Sequence, residues 1–359
     1  MKKVLYRTLL GFCFLLLLAP MSRGQSLANG YFLPYIANGR GVTTLPTAGA
    51  YRIAFIAADG AWLINADGSG KTRLTDSALL TGFIVASPAG DRIAVDTGSG
   101  WSVFDRQGQR LADRVGAGAT LRWHHDNQSL LLARINQGID RYDLTTGQST
   151  PYLSTTDETN DHSPLWSANH QQLLFAHQEF GEQLYVTLVN NFDTNKIPYI
   201  GENRTGAKLN PNFTLLLETT SWHDQAIDFH WATNEQTVVF GAKTTIHVID
   251  RLTGAATKIE PAGFGQRDSG RMVDVANERI VYVGGDGLYT VDLQGQNTRQ
   301  IEPGNELHYP RWTPDGDAIL FGGADHFLYL VDLKGNRPTV IPNTTGAQHF
   351  AVFKATNRT

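Results

Sequence analysis

Short apolar runs that alternate with polar residues recur along most of this chain, and turn-forming residues separate them. The clearest instance is His308-Tyr309-Pro310-Arg311-Trp312-Thr313-Pro314-Asp315-Gly316-Asp317-Ala318-Ile319-Leu320-Phe321. It reads strand, turn, strand, because Pro314-Asp315-Gly316 supplies the fixed φ, the side-chain turn bond and the φ > 0 position of a tight hairpin. Phe327 to Val331 make a third run, Asp332-Leu333-Lys334-Gly335 a second turn, and Arg337 to Ile341 a fourth strand. Four strands in about forty residues form one sheet, which cannot bury both its faces alone.

The unit repeats. Taking the residue before the first turn and the apolar residue nine positions later gives Ala86/Val95, Trp123/Leu132, Trp166/Phe175, Trp231/Phe240, Val273/Tyr282 and Trp312/Phe321. The intervals are 37, 43, 65, 42 and 39 residues. The second turn keeps the same phase as Asp105…Gly108, Asp143…Gly147, Asp250…Gly254, Asp292…Gly295 and Asp332…Gly335. Residues 51–75 carry strands two to four of a unit without a first strand, and residues 347–353 carry a first strand with nothing after it. If the two ends share one sheet, the array closes into a ring and no aggregation-prone edge is left over. The expectation is an all-β, seven-bladed β-propeller of four-stranded antiparallel blades, closed by the C-terminal strand pairing with the N-terminal blade.

Pro310-Arg311-Trp312-Thr313-Pro314-Asp315-Gly316, Ser87-Pro88-Ala89-Gly90, Pro164-Leu165-Trp166-Ser167 and Lys71-Thr72-Arg73-Leu74-Thr75 resemble the TolB-type, WD-repeat-like propeller repeat over residues 51–359. The turns His124-His125-Asp126-Asn127, Ser167-Ala168-Asn169-His170 and Ala232-Thr233-Asn234-Glu235 depart from that consensus. The resemblance implies an architecture and little about activity, since the motif consists of turn and core residues.

The ends and the charge refine the picture. Residues 1–24 read as a secretory signal peptide, with Lys2, Lys3 and Arg7, the apolar run Leu9 to Leu18, and Ser22-Arg23-Gly24 as cleavage site. The run is too short to span a membrane comfortably, and the single cysteine, Cys13, lies inside it. The mature chain is therefore expected to be secreted or periplasmic, with no transmembrane span and no cysteine. Removing four of the 30 basic residues leaves 26 against 34 acidic ones, a balance of −8, and nucleic acid is excluded as a partner. Residues 25–50 read as a linker with a small apolar knot at Tyr31–Ile36. The 65-residue interval places an insertion at about 201–226, with Lys196–Ile200 as the fourth strand before it. Such a connection lies on the channel-mouth face, and it carries Trp222 and His223.

Candidate chemistry gathers at the same mouth. Turns between second and third strands place Asp59, Asp96, Glu179, Asp286, Asp325 and His326 there. His162, with Asp161 beside it, and His308 both stand four residues before an anchor tryptophan, at the start of an innermost strand. Histidines and carboxylates on one rim can hold a divalent metal or move protons. Asp67-Gly68-Ser69-Gly70-Lys71-Thr72 imitates a phosphate loop, but Asn65 replaces the first glycine and a strand follows instead of a helix. There is no Gly-x-Ser-x-Gly elbow and no His-Glu-x-x-His. The expectation is a monomeric, non-catalytic binding or scaffold module without a cofactor, taking a protein or cell-envelope component on its mouth face. The alternative is a metal-assisted carbohydrate lyase or hydrolase using His162, His308 and Asp161, with the two histidines as metal ligands.

Overall fold

The second strands, such as Tyr51–Ala57 and Arg92–Asp96, are apolar on both faces because both faces are covered, whereas outer strands such as Arg110–Val115 and Ala256–Ile259 stay largely exposed. The computed structural model describes residues 41–47, 50–76, 83–134, 138–153, 159–167, 171–179, 183–190, 213–220, 229–242, 244–264 and 273–354. These fold into seven four-stranded antiparallel sheets. Blade 1 is His349–Lys354, Tyr51–Ala57, Gly60–Asn65 and Thr72–Thr75; blade 2 runs from Ile84–Ala86 to Arg110–Val115; blade 3 from Thr120–Trp123 to Ser149–Leu153. Blade 4 runs from Thr159–Trp166 to Phe213–Thr220, blade 5 from His230–Trp231 to Ala256–Ile259, blade 6 from Val273–Ala276 to Arg299–Pro303, and blade 7 from His308–Trp312 to Thr339–Val340.

The core shows how the blades are ordered. Every apolar cluster joins two blades that are consecutive around a circle. Phe175 of blade 4 meets Tyr152 of blade 3, Phe240 of blade 5 meets Leu174, Tyr282 of blade 6 meets Val248, and Phe321 of blade 7 meets Val281. The circle closes where Phe55 and Phe350 of blade 1 pack on Leu320 and Leu330 of blade 7. The anchor tryptophans Trp123, Trp166 and Trp312 are buried between blades, as their phase requires.

Closure follows the split-unit expectation. His349–Lys354 pairs antiparallel with Tyr51–Ala57, in register Phe55↔Phe350 and Arg52↔Phe353. A second latch comes from residues within the expected linker. Val42 bridges in parallel to Arg337, the Thr43 amide donates to the Arg337 carbonyl at 2.8 Å, and Leu45 packs on the blade 7–blade 1 core. Residues 41–45 are thus a strap on blade 7, while residues 1–24 and the Tyr31–Ile36 knot lie outside the described residues.

Two expectations are corrected. The fourth strand of blade 4 is Phe213–Thr220, paired with Gln183–Asn190, and not Lys196–Ile200, which lies outside the described residues. The expected insertion at 201–226 therefore contains a strand of the blade, Phe213–Thr220, and its remaining parts, 201–212 and 221–226, lie outside the described residues. An apolar run alone cannot say which of two candidates supplies the outer strand, because that strand is held by one edge only. The anchor Val273 is also two residues out of phase. It pairs directly with Tyr282, and Val275↔Ile280 is the counterpart of Trp312↔Ile319. The cause is a shorter hairpin, with Asn277 and Glu278 both at positive φ.

The turns explain the consensus and its departures. Where a third strand ends in Asp, that Asp accepts backbone amides of its own turn: Asp105 from Gln107 and Gln109, Asp250 from Leu252 and Thr253, Asp292 from Gln294 and Gln296. In the first turn the last residue is left-handed, as at Gly90 (φ 70°) and Gly316 (φ 74°). Asn127 and Glu235 fill that position with φ of 57° and 53°. Two of the departing turns bond to a neighbouring blade: Asn127 accepts the Ala89 amide of blade 2 at 2.8 Å, and the Asn234 amide donates to Glu278 of blade 6 at 3.2 Å. Glu235 contributes no such side-chain bond to this latch, so Glu235→Gly is expected to raise stability by about 1 kcal/mol. Denaturant unfolding with an unchanged m-value measures it.

Candidate functional site

The rim of the channel mouth is built by two recurring local devices. The first is a bulge at the start of an innermost strand. Blade 7 breaks register between His308 and Arg311 with Tyr309 at φ 51°, and blade 4 breaks register between His162 and Leu165 with Ser163 at φ 55°. In both, a proline follows the bulged residue and a histidine precedes it, so the ladder loses its register just after the histidine. The equivalence of His162 and His308 is therefore real at the level of the backbone. The two do not form one constellation by adjacency, since blades 5 and 6 stand between blades 4 and 7. For His162, Asp161 and Glu179 the backbone is described and the side chain is not, and Trp222 and His223 lie outside the described residues.

Around His308 the structure gathers a group that the spacing only half revealed. The ring lies against Gly322, where a side chain would collide with it, and its Nδ1 is 3.2 Å from the Glu306 carbonyl. His326 stands 6.4 Å away, centroid to centroid. Tyr309 packs 4.3 Å from His349 of blade 1, with its hydroxyl 3.4 Å from His349 Nε2, and Phe83, just before the first strand of blade 2, lies 5.6 Å from the same imidazole. Burial pushes the His349 imidazole down to about 4, helped by His308 and Arg311. Burial also lowers His308, with His326 adding to the effect and the Glu306 carbonyl and Asp325 opposing it. Both rings are thus neutral near pH 7 and present uncharged nitrogen atoms to the rim. Among the described residues, no three His, Cys, Asp or Glu are arranged to hold a metal ion.

The second device pairs a turn carboxylate with a ring on the third strand. Asp59 accepts Trp62 Nε1 at 2.9 Å, Asp286 accepts the Tyr289 hydroxyl at 2.6 Å, and Asp325 accepts the Tyr329 hydroxyl at 2.7 Å. Each ring pairs across the sheet with a second-strand ring: Phe55↔Trp62, Tyr282↔Tyr289 and Phe321↔Tyr329. The last two pairs stack at 5.5 and 5.6 Å. Lys71 lies 4.4 Å above Trp62, and Arg73 lies 5.2 Å from it. Asp96 behaves differently: it accepts the Gly98 amide at 2.8 Å and holds its own turn. The acids stand out in the sequence as turn residues, and their rings follow at a visible spacing in Asp59-x-x-Trp62, Asp286-x-x-Tyr289 and Asp325-x-x-x-Tyr329.

The innermost strands below the rim carry a polar tie that spans three blades. Asp274 of blade 6 lies 3.2 Å from His230 Nδ1 of blade 5 and accepts the Trp312 amide of blade 7 at 2.8 Å. One carboxylate thereby joins three blades. On the opposite face, His124 is buried against Asp126 (3.0 Å), which also takes Ser129 and Arg141. Burial opposes the Asp126 charge, but the Gln128 amide, His124 and Ser129 together hold it at about 2. This matches the turn reading of His124-His125-Asp126.

A circle of seven four-stranded antiparallel sheets, with inter-blade cores and a shared closing sheet, defines a β-propeller. Solved structures with this fold include a chain of a mitotic checkpoint complex, at 14% identity, covering 81% of this chain and 90% of that one with a TM-score of 0.56. They also include an oligogalacturonate lyase in complex with manganese (13% identity, 82% and 86% coverage, TM-score 0.53). A prolyl endopeptidase matches at 13% identity over 89% of this chain and 50% of that one, with a TM-score of 0.54. No family model and no curated protein matches the chain. Identities this low establish the fold alone. Among the described residues, no helix is long and apolar enough to cross a membrane.

Proposed function

We propose that this propeller is a non-catalytic binding module, exported from the cytoplasm, that takes a protein or cell-envelope component on the mouth rim of blades 7 and 1. The observation that carries the reading is the run of carboxylate-anchored rings there. Trp62 with Lys71 and Arg73, and Tyr329 with Asp325, stand in adjacent blades beside His326 and the 39% exposed Phe83. Rings fixed in advance lose little freedom on binding, and tryptophan, tyrosine and arginine dominate the energetics of protein interfaces. Likeness to the TolB-type repeat is consistent with an envelope partner. The test is affinity capture from the envelope fraction with wild-type bait and a Trp62→Ala/Tyr329→Ala bait of equal stability. The double variant is expected to lose at least about tenfold in retention of a specific partner. Equal retention by both baits overturns the reading.

A second reading starts from His308 and His326, whose rings stand 6.4 Å apart on one blade: a metal-assisted lyase or hydrolase acting on a carbohydrate, in which an ion would have to draw these side chains together. In that case the purified protein carries a stoichiometric divalent metal, and His308→Ala and His162→Ala remove it. Under the first reading, metal content is substoichiometric and a His162→Ala/His308→Ala variant keeps its partner.

A further inference from the structure

The third carboxylate–ring pair, Asp286 with Tyr289, is set apart from the rim just described. It lines an open cleft of about 530 Å³ between the outer strand of blade 5 and blade 6. The cleft extends along the flank from Asp286 at the mouth-side turn to Gln294 at the opposite turn, and Lys258, Glu260 and Thr298 complete its polar lining. Its volume lies in the range of small-ligand sites.

Three features show that the walls are built to hold a shape. Tyr289 is fixed from behind by Tyr282, stacked at 5.5 Å and 12°, and at its tip by Asp286. Gln300 then donates to the same hydroxyl at 3.0 Å and to the Asp286 carbonyl at 3.3 Å. The mouth end is shut by backbone crossing backbone. The Gly285 amide donates to the Ala262 carbonyl at 3.2 Å, and a side chain on Gly263 (φ 75°) would run into Gly284 and Gly285.

We propose that this cleft is a binding site for a neutral oligosaccharide. A sugar ring offers an apolar C–H face to an aromatic plane and hydroxyl groups around its edge. A stacked tyrosine with a fixed orientation suits the first. The second needs donors and acceptors together, which Lys258, Gln294, Thr298, Glu260 and Asp286 provide. Two carboxylates against one ammonium make the lining net acidic, so an acidic sugar is repelled and a neutral one is not. The site is independent of the rim proposed for the protein or envelope partner.

Saturation-transfer NMR and calorimetry with cellobiose and N,N′-diacetylchitobiose test it, with a digalacturonate as the charged probe. At least one neutral probe is expected to bind with a Kd of about 1 mM or below. Tyr289→Ala is expected to weaken binding at least about tenfold, and Tyr289→Phe, which keeps the stack and loses the Asp286 tie, by about threefold. Leu111→Ser, on the outer strand of blade 2, leaves it unchanged. If Tyr289→Ala fails to fold, Tyr289→Phe with Asp286→Asn carries the test. The proposal is overturned if neither neutral probe binds at about 10 mM, if affinity is unchanged by loss of the Tyr289 ring or of the Asp286 tie, or if the digalacturonate binds more tightly.

Discussion

A chain truncated after Gly346 will not give a cooperatively melting propeller, although it loses only one strand. The missing strand, His349–Lys354, is the inner partner of Tyr51–Ala57 through six register pairs. Its two phenylalanines serve different interfaces: Phe350 belongs to the blade 7–blade 1 core and Phe353 to the blade 1–blade 2 core. Truncating either ring to alanine costs about 3–5 kcal/mol. Because the interfaces are separate, Phe350→Ala/Phe353→Ala is expected to be near-additive at about 6–10 kcal/mol, comparable with the whole stability of a typical domain. Deletion goes further, since it leaves unpaired edges on the closing sheet. Differential scanning calorimetry and size-exclusion chromatography read the outcome. A monomeric truncation product with a single sharp transition would show that closure is dispensable. Removal of residues 356–359 alone should leave the transition in place.

Acid is expected to weaken the protein in a window set by two histidines. Burial is the main cause of the low affinity for protons at both His124 and His349, each pushed down to about 4. At His124, Asp126 pulls the other way, but Arg141 shares that carboxylate and reduces its pull. The folded state keeps both rings neutral, whereas the unfolded chain protonates them near pH 6.5. Between pH 6.5 and 4 the unfolded state therefore binds more protons, and stability falls as pH falls. The contribution is fully present above pH 6.5 and gone below about 4. A shift of that size is worth about 3 kcal/mol per group when fully felt, and solvent screening reduces it to about 2 kcal/mol each. Asp126, held at about 2, extends the loss to lower pH. Denaturant midpoints from pH 8 to 4 should decline for the wild type and run flatter for His124→Asn/His349→Asn. Parallel curves for the two proteins would rule the histidines out as the cause.

Much of the architecture could be read along the chain because its signals are local. A period-two alternation, a Pro-Asp-Gly turn and an Asp-ended third strand each lie within a few residues, and every blade restates them. The split unit at residues 51–75 and 347–353 was enough to imply a ring. Two details escape that pattern, one through a tighter turn and one through a pairing between strands that the chain separates. A two-residue turn at Asn277-Glu278 displaced the Val273 anchor, and pairing with Gln183–Asn190 selected Phe213–Thr220 as the outer strand of blade 4.

The candidate sites divide along the same line. Position within the repeat alone placed Asp59, Asp286, Asp325, His326 and His308 at the mouth. The rings that anchor the acids lie three or four residues further on and were open to the same kind of reading. Tertiary structure alone brought His349 to Tyr309 and Asp274 to both His230 and the Trp312 amide, across gaps of about forty residues. It also opened the cleft between blades 5 and 6. The amino-acid order determines what each blade is, since side-chain alternation and turn geometry act over neighbouring positions. Only the closed circle decides which blades face each other, because that contact depends on burying the flat sides of separate sheets together.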